Sequence, residues 1–177
     1  MDKSVSNKML KNAIRNIADF PIKGIQFKDI TTLLRDKTLF NHVIDEIVDY
    51  YKEKHITQVA AIESRGFMLG GAISNRLGAG FVPIRKPGKL PADVYRQTYQ
   101  LEYGEDALEI HQDALVSGDT VLLHDDLLAT GGTSLAALEL LKKFNVHKVY
   151  IGFLIELDFL NGRENLKDYD VFSVIHF

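Results

Sequence analysis

The sequence predicts an α/β fold: a mostly parallel, twisted sheet flanked by helices. Two observations carry this. Short apolar runs of strand length alternate with longer segments of helical period, the pattern of a parallel sheet covered on both faces. No internal repeat or low-complexity linker divides the chain, and 177 residues suffice for one domain with a sizeable core.

The elements follow in order. Met9, Leu10, Ala13, Ile14, Ile17 and Ala18 fall at helical spacing and predict an amphipathic helix reaching Ala18. Pro21 and Gly24 break regular structure, predicting a loop from Asp19 to about Lys28. Leu39, Phe40, Val43, Ile44, Ile47, Val48 and Tyr51 predict a second helix. "QVAAI" (58–62) and "GFVPI" (80–84) read as buried strands, and between them "GFMLGGAISNRLG" reads as a helix stopped by Gly78. "TVLLHDD" predicts a strand, followed by a loop and the helix "SLAALELLKKF". "KVYIGFLIEL" and "VFSVIHF" supply two further strands. The span 86–109 has two prolines, several tyrosines, mixed charges and no clear period. Long irregular segments in compact domains are commonly active-site lids, so a mobile lid containing a hairpin is expected here.

Composition narrows the function classes. Apolar residues make up 46% and charged residues 25%, as in soluble globular proteins. A net charge of −3 offers no general basic footprint, so no nucleic-acid partner is expected. The absence of cysteine removes disulfide and thiolate chemistry. No apolar run is long enough to span a bilayer, and "MDKSVSNKML" lacks a signal-peptide core, so no membrane association and a cytoplasmic location are expected. The six histidines do not cluster as metal ligands would. His124 abuts two acids, but strand alternation can turn it into the core, and it is assigned no role.

"HDDLLATGGTS" (124–134) concentrates the chemistry. Ionised Asp125 and Asp126 can accept hydrogen bonds from the two hydroxyls of a vicinal diol. Ala129, Thr130, Gly131, Gly132 and Thr133 form a flexible turn ahead of a helix. Glycines there allow close backbone approach, the threonines add hydroxyl donors, and the helix N-terminus favours an anion. Together they suit a ribose 5-phosphate. No lysine follows the glycines, so this is not a Walker loop. Acid pairs and Gly-Gly turns are common without function; their joint occurrence at a strand-to-helix junction points to a ligand.

"VLLHDDLLATGGTS" resembles the phosphoribosyl-pyrophosphate signature of type I phosphoribosyltransferases. "DFPIKGIQFKDITTLL", "ESRGFMLGGAISNRLGAGFVPIRKPGKLP", "YQLEYGEDALEIHQDAL" and "FLIEL...GR" extend the resemblance to the adenine phosphoribosyltransferases over nearly the whole chain. The resemblance implies transfer of a phosphoribosyl group from phosphoribosyl pyrophosphate to adenine, giving AMP and pyrophosphate. It implies a magnesium ion (Mg2+) held mainly through substrate oxygens, with no dedicated protein cage, and a homodimer. It also implies one phosphoribosyltransferase domain over 1–177, with residues 1–35 as a base-binding hood and 86–109 as the lid.

It further assigns residues. Ser64 and Arg65 of "ESRG" and Arg85, Lys86 and Lys89 of "RKPGKLP" would bind pyrophosphate, and Asp is expected where Glu63 stands. Phe27 would stack on adenine, with Gln26, Lys28 and Tyr103 beside it. Glu102, near N7 of the base, would serve as general acid or base. Alone, each has an ordinary reading: a core aromatic for Phe27, a solvated loop residue for Glu102, a basic surface run for the lysines. Alternatives are a phosphoribosyltransferase for another base, a regulatory domain sensing the sugar pyrophosphate, and a plain sugar-phosphate binding module.

Overall fold

The computed structural model describes residues 5–100 and 105–177. The chain forms two compact units, 1–46 and 47–177.

In the first unit, α1 (Asn7–Ala13) starts at Ser6, whose side chain accepts from the Met9 amide. The helix expected through Ala18 ends here, because Ile14 is extended. Arg15–Ala18 instead forms β1, antiparallel to β2 (Gln26–Asp29), which lies partly within the expected loop. A partner strand supplies ladder hydrogen bonds that outweigh a weak helical period. Asp29 locks this hairpin. It accepts from Arg15 Nε at 3.0 Å, from the Thr31 amide at 2.9 Å and from the Thr31 hydroxyl at 2.7 Å. The single turn α2 (Thr31–Leu34) follows, and α3 (Lys37–Tyr51), the expected second helix, leads into the second unit. Asp36 caps it, accepting from the Thr38 amide at 2.9 Å.

The second unit holds the predicted sheet. Five parallel strands lie in the order β4-β3-β7-β8-β9: β3 (Gln58–Ile62), β4 (Gly80–Ile84), β7 (Thr120–Leu128), β8 (Lys148–Glu156) and β9 (Asp170–His176). Between β3 and β4 runs α4 (Arg65–Leu77), ended by Gly78 at φ +66° as its position in the sequence suggested. Between β7 and β8 runs α5 (Gly132–Leu141), extended by a 3-10 turn to Phe144. Strand alternation divides β7 between two cores. Val121 and Leu123 pack with Ala137, Leu140 and Leu141 of α5. Leu122 meets the Tyr51 side near Gly152, and His124 meets α4 at Gly70. His124 is fully buried, the core placement that alternation allowed.

The span 86–109 is more regular than its composition suggests. It contains β5 (Val94–Gln100) and most of β6 (Glu105–His111), which pair antiparallel. The expected hairpin is therefore present, and its second strand belongs to the core: Leu108 and Ile110 are fully buried in the cluster with α5. Tyr95, Gln97 and Tyr99 alternate with the more exposed Arg96, Thr98 and Gln100, a two-residue period within a charged, tyrosine-rich run.

Candidate active site

The carboxyl ends of β3 and β7 meet the N-terminus of α4 in a cavity of about 340 Å³, lined by Glu63, Ser64, Arg65, Lys86, Tyr99, Asp125, Asp126 and Thr133, with Ile62 at its wall. Ligands of open α/β sheets gather at such edges. At the end of β7, residues 127–134 enclose a smaller hollow of about 60 Å³. The acid pair and the glycine turn of one contiguous stretch thus line neighbouring depressions on the same edge.

Asp125 and Asp126 both line the cavity, although β7 continues past them to Leu128. Asp126 is 3% exposed. Its Oδ2 lies 3.0 Å from Arg65 Nε, an ion pair whose alignment falls short of a hydrogen bond. Burial pushes the Asp126 carboxyl up, and the Arg65 guanidinium opposes that. Asp125 is raised well above the usual carboxylate range, by burial first and by the charge of Asp126 second. Gly66 permits this packing: a Cβ there would stand 3.1 Å from Asp125 Oδ1 and 3.1 Å from the His124 carbonyl.

The glycine turn expected to hold phosphate bends at Gly131, which has φ +86° and ψ −2° and directly precedes α5. A Cβ at Gly131 would stand 3.0 Å from the Gly162 carbonyl, whereas one at Gly132 would meet open space. Ala129, Thr130, Gly131, Gly132 and Thr133 all line the smaller hollow, and Thr133 also faces the larger one.

The cations expected for pyrophosphate are placed around the first loop, each against a carboxylate. Arg85 Nε lies 2.6 Å from Glu63 Oε2, and Lys89 Nζ lies 2.5 Å from Glu63 Oε1. Burial pushes Glu63 up, but the hydrogen bonds from Lys89 and Arg85 outweigh it and hold the carboxyl below its ordinary value. Glu63 thus engages two cations at once. Lys86 pairs with Asp106 and lies 3.1 Å from the Tyr99 hydroxyl. Ser64 follows a cis Glu63–Ser64 peptide and precedes α4. Of these residues, Ser64, Arg65 and Lys86 line the cavity with the acids; Arg85 and Lys89 join it through Glu63.

Gln26, Phe27 and Lys28 lie on β2 of the first unit. Phe27 packs edge-on against Phe20, with ring centroids 5.0 Å apart. Glu102 and Tyr103, expected at the base, fall outside the described residues. Sequence reasoning missed Tyr99 and Asp106. The alternation of β5 was the available signal for Tyr99; no local signal marked Asp106.

The chain can now be set beside known proteins. The phosphoribosyl transferase domain family matches residues 28–177. The adenine phosphoribosyltransferase of Halothermothrix orenii is 55% identical over 166 residues, covering 94% of this chain and 98% of that one. That of Koribacter versatilis is 53% identical over 168 residues, covering 95% of this chain and 92% of that one. Among solved structures, the adenine phosphoribosyltransferase of Thermoanaerobacter pseudethanolicus aligns with a TM-score of 0.94 at 48% identity, covering 97% of this chain and all of that one (100%). The Giardia lamblia enzyme complexed with 9-deazaadenine aligns with a TM-score of 0.93 at 44% identity, covering 98% and 99% of the two chains. With sequence, fold and sheet-edge site in agreement, the chain belongs to the adenine phosphoribosyltransferase family.

Proposed function

We infer that the chain transfers the 5-phosphoribosyl group of phosphoribosyl pyrophosphate to adenine, giving AMP and pyrophosphate in purine salvage. One observation carries the reading beyond family membership: the acid pair at the end of β7 runs directly into a glycine turn with its own hollow. That order matches the order of a ribose diol and its 5′-phosphate.

In this reading Asp125 and Asp126 hold the ribose hydroxyls. Ala129 to Thr133 hold the 5′-phosphate through backbone amides and the hydroxyls of Thr130 and Thr133. Ser64, Arg65, Arg85, Lys86 and Lys89 receive the pyrophosphate. Phe27 stacks on adenine, with Gln26, Lys28 and Tyr103 reading its edge. Glu102 moves the proton as N9 of the base becomes nucleophilic, and the closed lid excludes water, which would otherwise hydrolyse the activated sugar. No protein nucleophile is required.

The donor chemistry at the cavity fits magnesium, since Asp125 and Asp126 offer hard carboxylate oxygens. The two acids would hold it chiefly by fixing the substrate oxygens around it. When bound, it supplies a Lewis acid for the departing pyrophosphate.

The exposed apolar residues Met68 and Phe81, on α4 and edge strand β4, support a homodimer; light scattering on the purified protein tests it. No described helix is long and apolar enough to cross a membrane, and a cytoplasmic location is proposed on the family resemblance. The activity is tested with purified protein, phosphoribosyl pyrophosphate, magnesium and a panel of bases. AMP formed from adenine in clear preference to nucleotides of hypoxanthine, xanthine or orotate is expected. Tight binding of the sugar pyrophosphate with no nucleotide formed from any base identifies a sensor instead.

A further inference from the structure

We propose that the segment Asp158–Leu166 is the backstop of the phosphate loop, with Asn165 and Gly162 as positioning residues that aim the Thr130 and Gly131 amides at the 5′-phosphate. The proposal rests on the phosphate-loop reading above and names what holds that loop in shape.

Two consecutive carbonyls of the loop face this segment. The Thr130 carbonyl accepts a hydrogen bond from Asn165 Nδ2 at 2.8 Å. The Ala129 carbonyl lies so close to Gly162 that a Cβ there would collide with it. In a planar trans peptide, the carbonyl of one residue and the N–H of the next point in opposite directions. Fixing the Ala129 and Thr130 carbonyls toward the segment therefore turns the Thr130 and Gly131 N–H groups away from it. Neither amide meets a protein acceptor among the described residues. Two adjacent donors turned to one side are what a phosphate cradle requires.

The backstop is itself fixed to the sheet. Arg163 donates to both oxygens of Glu156, at 2.9 Å from Nε and 2.5 Å from Nη2, and to the Val171 carbonyl at 2.8 Å from Nη1. Glu156 is 4% exposed and also accepts from the Ser173 hydroxyl at 2.6 Å. The Leu157 amide donates to the Leu128 carbonyl at 2.9 Å, so the ends of β7 and β8 stay joined where loop and backstop diverge. Asn165 is exposed, so replacing it leaves no buried void.

The test compares AMP with adenosine, which differ only by the phosphate. In Asn165→Leu the dissociation constant of AMP, measured calorimetrically, is expected to rise roughly threefold to tenfold, the worth of one neutral hydrogen bond. The adenosine constant and the melting temperature stay at the parent's values. In turnover, KM for phosphoribosyl pyrophosphate rises by a similar factor with kcat retained, because the phosphate is held equally in ground and transition states. Asn165→Gln, which keeps an amide donor, recovers part of the loss. Equal weakening of AMP and adenosine, or no change in AMP, overturns the proposal while leaving the phosphate-loop reading in place. A parent protein that binds AMP no more tightly than adenosine overturns both.

Discussion

The two loop glycines next to one another make a controlled experiment, because the structure assigns them different burdens. Gly131 sits at φ +86°, where a Cβ would also come within 3.0 Å of the Gly162 carbonyl. An alanine there bears the left-handed penalty of about 1–2 kcal/mol, and a neighbouring backbone must move a few tenths of an ångström. For a domain of this size each kcal/mol lowers the melting temperature by about 2–4 °C, so Gly131→Ala should melt roughly 2–8 °C below the parent. Gly132 carries neither burden, since a Cβ there meets open space at the first position of α5. Gly132→Ala should therefore melt at or slightly above the parent, given the gain of up to about 1 kcal/mol from Gly to Ala in a helix. Its effect falls on the ligand. A side chain at Gly132 enters the approach to the phosphate, and Gly132→Val should abolish measurable AMP binding while the protein stays folded. Differential scanning calorimetry gives the melting temperatures and titration calorimetry the AMP affinities. A folded Gly132→Val protein that binds AMP as tightly as the parent refutes the cradle. A Gly131→Ala protein as stable as the parent refutes the strain argument.

Three further outcomes are expected. Asp125→Asn combined with Asp126→Asn keeps the fold but weakens phosphoribosyl pyrophosphate at least tenfold in the presence of magnesium, since charge-assisted bonds of about 1.5–3 kcal/mol are lost; unchanged calorimetric affinity contradicts the diol assignment. Glu102→Leu lowers kcat much more than it weakens the sugar pyrophosphate, and Glu102→Gln separates proton transfer from positioning: retention of most activity by Gln makes the residue a positioning group, and retention by Leu removes it from the mechanism. In the first unit, the hydrogen bonds from the Thr31 backbone and from Arg15 lower Asp29 from 3.8 to about 2. Because the folded value is depressed, the stabilisation is present above about pH 4 and disappears as pH falls toward 2. Discounted for partial solvation, it amounts to about 1–2 kcal/mol. Chemical denaturation should show Asp29→Asn weaker than the parent by that amount at pH 6, with the gap closing at the acid end; a constant gap shows that packing, not charge, is lost.

What the sequence discloses here depends on how local the cause is. Strands β3 and β4 have the bounds read from the sequence because each is a short, uninterrupted apolar run: β3 is buried on both faces, and edge strand β4 buries Val82 and Ile84 while Phe81 is exposed. The acid pair and the glycine turn were legible as a unit because one contiguous stretch carries both, and the structure places both along adjoining cavities. β1 was not, because Ile14, Ile17 and Ala18 fit a helical period and only pairing with β2, some ten residues onward, decides the matter. Tyr99 was obscured by the prolines and charges around it, although its alternation with Thr98 and Gln100 was present. Asn165 gave no signal, and Gly162 stood out only within the "FLIEL...GR" resemblance: their proposed place behind the glycine turn comes from the return of the chain after β8, a tertiary event with no local pattern.

Charge pairing around the cavity explains how the site proposed for polyanions coexists with a stable free protein. Arg65, Arg85, Lys86 and Lys89 would repel one another if gathered unpaired, yet each lies against an acid: Asp126, Glu63, Asp106 and Glu63 respectively. The pairs differ in what they can surrender. The Glu63 side chain is only 5% exposed and its carboxylate is kept ionised by Arg85 and Lys89 together, so removing both cations would strand a buried charge at a cost of several kcal/mol. Those two cations stay with Glu63, and in the proposed reading the pyrophosphate meets their remaining donors. The Asp106 side chain is 28% exposed and Lys86 36%, so water can solvate both if they part, and such a pair is worth at most about 1 kcal/mol. Lys86 also lines the cavity directly. It can therefore change partners at less cost than Arg85 and Lys89, which Glu63 holds as a fixed positive rim.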